Sequence, residues 1–157
     1  MVAPPLFLFG EIVMKEFEKI VEIAIGMRDI FEKVLQDSIR TTETSGTCLY
    51  AAILLSNSIN KFTNSEAIVC GGGPDEGAGI RDKNGGKKGH YWVEGKTESG
   101  VKFIADISSD QFDYPPVVVI HESQGRVRYF PGNQETIDQH VKEELEICMR
   151  QSNISLD

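Results

Sequence analysis

The sequence predicts an α+β domain in which helices come first, an antiparallel β-meander follows and a helix closes the chain. Three observations carry this. Apolar residues recur at helical spacing from Glu11 to Arg40 and again from Asn133 to Arg150. Between Ala67 and Phe130 the pattern shifts towards period two and β-branched residues. Glycine- and proline-bearing turns divide that middle stretch into short runs. A chain of 157 residues, 40% apolar and 25% charged, fits one globular domain over 1–157, with its core at about 41–150 and a helical segment at 11–40.

Met1 to Val13 holds an apolar patch, Leu6 to Phe9, with no preceding positive region and with Glu11 interrupting it. It is too short for a membrane span and lacks the parts of a signal peptide, so it is expected to be an arm packed on the domain. Ile12, Phe17, Ile20, Val21, Ala24, Met27, Phe31, Val34 and Leu35 then predict one long helix or two short ones, with Gly26 as the bend. Thr41 to Thr47 reads as a capping loop, and Cys48 opens a buried helix that runs to about Asn60.

Expected strands lie at Ala67–Cys70, Tyr91–Val93, Val101–Ile107, Val117–Ile120 and Val127–Phe130, all in one antiparallel sheet. Turns are signalled at Gly71 to Gly89, Gly95 to Gly100, Tyr114-Pro115-Pro116 and Ser123-Gln124-Gly125. In the closing helix Ile137, Val141, Leu145 and Met149 repeat every fourth residue, which predicts a stripe lying on the sheet.

The formal charge of -8 is spread along the chain, and such a surface repels phosphate backbones, so nucleic acid is excluded as a partner, as is a membrane. Cysteines at 48, 70 and 148 show neither Cys-x-x-Cys spacing nor a disulfide framework, which fits a reducing, cytoplasmic compartment. His90, His121 and His140 are widely separated, so no metal and no cofactor is expected. The Gly71–Gly89 stretch lacks the order of a phosphate-binding loop and is expected to be a mobile loop, placed as a lid because it runs into His90.

Cys48, His90 and Asp106 carry the chemistry. The unpaired N–H groups and dipole of a helix start favour thiolate over thiol, and Cys48 stands at such a start. An imidazole holds a thiolate and later protonates a leaving group when a third residue orients the ring. His90 begins one expected strand and Asp106 ends the next, so an antiparallel pair sets them side by side. Asp106 is the most informative of the three, because a carboxylate in an apolar strand needs a partner. Cys70 and Cys148 read as packing residues.

Ser45-Gly46-Thr47-Cys48 opening a helix, Gly89-His90-Tyr91-Trp92-Val93-Glu94 on a strand, and Ala105-Asp106-Ile107-Ser108-Ser109-Asp110-Gln111-Phe112 after a turn resemble the transglutaminase-like branch of the papain-like cysteine superfamily. The third motif is similar to that of uncharacterised bacterial members. The resemblance spans about Ser45 to Ile120 and implies a papain-like core with the nucleophile at a helix N-terminus, and a Cys48-His90-Asp106 triad working through a thioester. A peptide or protein is the implied substrate, processed by hydrolysis, deamidation or acyl transfer. Many papain-type enzymes carry an oxyanion-stabilising glutamine at the position that is Thr42 here. The Cys48 backbone N–H would then need a second donor, with Trp92, Tyr91 and Gln111 as candidates; Gln111 and Phe112 also read as the turn that ends the aspartate strand. Two other classes fit the same residues: a catalytically silent acidic binding module of immunity or adaptor type, and a toxin or effector domain.

Overall fold

The computed structural model describes residues 6–39 and 47–156 of the chain. Helix α1 spans Leu6–Ile39 without interruption at Gly26, so Leu6 to Val13 form its first turns rather than a separate arm. The apolar spacing simply extends back through them, and Gly26 is a small residue inside a helix whose packing is made by its neighbours. The Met1 to Pro5 part of the expected arm and the capping loop up to residue 46, including Thr42, lie outside the described residues, while Thr47 stands at the N-cap position of the next helix. Helix α2, Cys48–Phe62, follows. Among the described residues no helix is long and apolar enough to cross a membrane.

Seven strands follow: β1 (Glu66–Gly72), β2 (Gly79–Arg81), β3 (Lys87–Lys88), β4 (His90–Lys96), β5 (Lys102–Asp106), β6 (Val118–His121) and, after the one-turn helix α3 (Glu122–Gly125), β7 (Tyr129–Phe130). Helix α4 closes the fold at Gln134–Leu156. The strands make two antiparallel sheets, one in the order β1-β4-β5-β6 and a smaller one in the order β3-β2-β7.

The single sheet expected from the sequence is therefore divided, and the Gly-rich stretch is not a loop lid. It holds the β2–β3 hairpin, whose turn is built by Asp82: its Oδ1 accepts from the backbone N–H groups of Asn84 at 2.9 Å and Gly86 at 3.0 Å. Asp-Lys-Asn-Gly-Gly is a turn sequence with a mechanism, and Gly85 supplies the positive φ of 89° that it requires. Val127 lies outside β7 and is exposed, because only Tyr129 and Phe130 pair with β2.

Helices α1 and α2 cover one face of the four-stranded sheet, and the small sheet covers the other. On the helical face Ile20, Phe31, Leu55, Ile59, Val93 and Phe103 have no exposed surface. Each such side chain contributes about 1.5–3 kcal/mol on burial, whereas an exposed ion pair contributes about 0–1 kcal/mol. The aliphatic layer, not the surface charge, holds the helices to the sheet. Ala51 and Ala52 let α2 lie close on it. On the opposite face Cys70, Trp92 and Ile104 meet Ile80 and Tyr129 of the small sheet. The α4 stripe is covered over its first half only: Ile137 is buried, while Leu145 is 40% and Met149 64% exposed because the sheet ends before they reach it.

Candidate active site

His90 is the first residue of β4 and Asp106 the last of β5. In the observed register Val93 faces Ala105, so one step further Trp92 faces Asp106, and His90 reaches the carboxylate diagonally rather than directly across. Alternation along β4 puts His90 and Trp92 on the same face, which the small sheet closes. There His90 Nε2 meets Asp106 Oδ2 at 2.8 Å, with both side chains at most 1% exposed.

Asp106 is held from several sides. The Tyr129 hydroxyl donates to Oδ2 at 2.9 Å, the backbone N–H of Ser108 to Oδ1 at 2.9 Å, and the Ser108 hydroxyl to Oδ1 at 3.4 Å. Burial alone would raise the carboxyl pKa. The charge and hydrogen bond of His90, with the Ser108 and Tyr129 bonds, outweigh it and hold the pKa below its ordinary value. Burial likewise disfavours the imidazolium, but the Asp106 charge and hydrogen bond, and then Cys48, push the His90 pKa up to about 9. Both shifts run in the direction that favours the imidazolium–carboxylate form of the pair.

Cys48 is the first residue of α2, half-buried, and it stands against the His90 ring closely enough to interact with it through a hydrogen bond and charge. Helix propagation begins immediately, with the Ala51 N–H donating to Thr47 O at 3.1 Å. The first N–H groups of an α-helix have no partner within the helix, and they converge on this end of it. With Asp106 on Nε2, the structure brings the three residues singled out in the sequence into one row.

The loop after Asp106 is fixed by Arg28 of α1. Its guanidinium forks onto Asp110, Nη1 to Oδ1 at 2.7 Å and Nη2 to Oδ2 at 2.9 Å, and Nη1 also donates to Ile107 O at 2.8 Å. Arg28 and Tyr129 were not singled out in the sequence. A signal existed for Arg28: it falls on the apolar face of α1, four residues after Ala24, and a charge on such a face needs a partner. Nothing marked Tyr129, whose hydroxyl meets Asp106 only because two sheets stack.

The three candidate oxyanion donors separate in the structure. The Trp92 indole N–H donates to Glu94 Oε2 at 2.8 Å, and Arg126 also binds that carboxylate through Nη1 at 2.8 Å and Nη2 at 2.5 Å. Trp92 is thus 1% exposed and its only N–H is already given, which removes it from the candidates. Gln111 Nε2 donates to Ser108 O at 3.0 Å and lies 3.4 Å from His90 Nδ1, on the short 3₁₀ turn Ser109–Phe112. Phe112 packs its edge on the His90 ring, with centroids 4.9 Å apart. Tyr91 points to the helical side, where its hydroxyl meets His140 Nδ1 of α4 at 2.6 Å. The neighbouring strand has to be glycine here: a Cβ on Gly71 would stand 2.7 Å from His90 O and 2.8 Å from Tyr91 Cδ1.

A cleft of about 420 Å³ opens beside this row, lined by Gly72, Gly73, Glu76, Gly89, Tyr91 and His140 among others. It lies between α4 and the ends of β1 and β4 and flanks His90 through Gly89 and Tyr91, while Cys48, His90 and Asp106 themselves do not line it. Cys70 is buried opposite Trp92 on the face that the small sheet closes, and Cys148 lies on α4, so Cys48 is the cysteine that meets the His90 ring. No known family model matches the chain, and no curated protein or solved structure is detectably similar to it.

Proposed function

We propose that the protein is a thiol-dependent amide-processing enzyme with a transglutaminase-like, papain-related core, acting on a peptide or protein through Cys48, His90 and Asp106. The observation that carries this reading is the buried 2.8 Å contact between His90 and Asp106 with the Cys48 thiol on the same ring. A charged pair taken out of water is costly unless its geometry serves something, and here it presents an oriented imidazolium to a cysteine at a helix start.

The thiolate of Cys48 attacks the amide carbonyl carbon. A C–S bond forms and the carbonyl π pair moves onto oxygen, where the N–H groups at the start of α2 receive it. His90 gives its proton to the departing nitrogen, the C–N bond breaks, and ammonia or an amine leaves a thioester on Cys48. Water, or a second amine, then attacks the thioester with His90 taking the proton, the C–S bond breaks with its pair left on sulfur, and the acid or the new amide departs as the thiolate and the protonated His90 are restored. Asp106 and the groups around it position His90 throughout.

The direct test is the rate of alkylation by iodoacetamide at neutral pH, mapped to each cysteine by mass spectrometry. Cys48 is expected to react well ahead of the others: burial pushes the Cys70 thiol up to about 12 and also raises that of Cys148. Cys48→Ala is expected to keep the circular dichroism and melting curve and to lose the fast-labelling thiol. Equal rates at Cys48 and Cys148 would overturn the reading.

A further inference from the structure

We propose that the Tyr91 hydroxyl is the second oxyanion donor of this site, and that His140 is the residue that positions it, freeing its hydrogen for the substrate when His140 Nδ1 carries a hydrogen of its own. The inference rests on the function proposed above and supplies the donor that function requires.

Each candidate donor has a fixed number of hydrogens to give. Trp92 has one, and it goes to Glu94. Gln111 has two on its amide nitrogen, one directed to Ser108 O; that nitrogen stands 3.4 Å from His90 Nδ1, and Gln111 does not line the cleft. The Tyr91 hydroxyl has one, and its destination depends on its partner. At 2.6 Å, Tyr91 Oη and His140 Nδ1 share a single hydrogen along their line. If His140 Nδ1 is bare, the phenol must give it that hydrogen and keeps none. If Nδ1 bears the hydrogen, the ring donates to the phenol oxygen, and the phenolic O–H turns outwards with a full bond to offer.

Position favours the same residue. Tyr91 follows His90 directly in β4, its side chain packs on the face that α2 covers, and it forms a wall of the cleft together with Gly89 and His140. The charge on Cys48 is felt at the Tyr91 hydroxyl, after burial the second cause that raises the Tyr91 pKa. A carbonyl held between the start of α2 and this hydroxyl would place its oxygen between two donors, while His90 and Asp106 lie on the other face of the strand.

The experiment compares two reactions of the same thiol in the full chain. Acylation by p-nitrophenyl acetate forms a C–S bond and expels p-nitrophenolate with its bonding pair through a tetrahedral oxyanion. Alkylation by iodoacetamide forms a C–S bond and expels iodide, and no charge develops on a carbonyl oxygen. Tyr91→Phe is expected to slow acylation by about 10²–10³-fold, the usual effect of removing one oxyanion donor, and to leave alkylation within about twofold. His140→Ala is expected to slow acylation by about 10–100-fold through loss of positioning, and His140→Gln to restore most of it, since an amide N–H there again donates to the phenol oxygen. Unchanged acylation in Tyr91→Phe, or an equal fall in both reactions, would overturn the proposal while leaving the thiol chemistry standing. Failure of wild-type Cys48 to alkylate ahead of Cys148 would instead remove the enzyme reading, and this one with it.

Discussion

Asp106 and Cys48 stand at the two ends of the same row, and the fold holds them by different means. Asp106 is fully enclosed and receives bonds from three other residues, His90, Ser108 and Tyr129, which arrive from two sheets and a loop. Cys48 is half-buried at the first position of α2, and its placement depends on where that helix begins. The contrast assigns the two ends different tasks. A group that only orients a ring is best immobilised, whereas a nucleophile must stay accessible to its substrate and is best set by a rigid helix behind it. Arg28 extends the immobilised end outwards, since it ties the loop after Asp106 to α1 across 79 and 82 residues of sequence.

Asp106→Asn is expected to disturb the enclosed end of the row by the largest amount. The amide keeps the shape and removes the charge, so His90 loses the interaction that keeps it protonated and oriented. A fall of about 10⁴-fold in acylation by p-nitrophenyl acetate is expected, by analogy with triads in which the same change was made. The alkaline limb of the pH profile, set near 9 by His90, is expected to move back towards the ordinary histidine value of 6.5.

Next in size is the pH dependence of stability. The His90 pKa is raised on folding from 6.5 to about 9, so its contribution is fully present below 6.5 and is lost as pH rises through 9. The Asp106 pKa is lowered from 3.8, so its contribution is present above 3.8 and is lost as pH falls. Stability is therefore expected to be greatest between these values. It should decline by on the order of 3 kcal/mol as pH rises from 6.5 to 9, measured by urea unfolding at each pH. A flat profile over that range would show that His90 is not charged in the folded protein.

The smallest effect sharpens the picture of the enclosed end. Tyr129→Phe deletes one of several donors to a carboxylate and keeps the ring that packs on Trp92 at 5.2 Å between centroids. A cost of about 1.5–3 kcal/mol in urea unfolding is expected, the range for a hydrogen bond to a charged group, with alkylation of Cys48 within about twofold of wild type. A much larger loss of reactivity would mean that Asp106 is less firmly held than its other bonds imply.

Helices α1, α2 and α4 and most strands were legible because their signals are local, whereas the turn expected at Ser123-Gln124-Gly125 is the one-turn helix α3. Periods of 3.6 and 2 and the turn residues between them are properties of neighbours in the chain. The β2–β3 hairpin was not, because Gly79–Arg81 and Lys87–Lys88 carry little β signal and owe their order partly to Tyr129 and Phe130, about 50 residues away. The α4 stripe is legible as a pattern and not as a contact, since periodicity says which residues share a face and not how far the partner sheet extends.

The same division runs through the site. By itself the sequence determined that Cys48 would head a helix, that His90 and Asp106 would lie at neighbouring strand ends, and that a carboxylate in an apolar strand would need a partner. Only the tertiary arrangement sets the two-residue diagonal between His90 and Asp106, the arrival of Tyr129 and Arg28, the commitment of the Trp92 indole to Glu94, and the pairing of Tyr91 with His140. Each of these joins side chains from different elements. Their distances follow from how sheets stack and helices cross, and no local pattern in the chain encodes them.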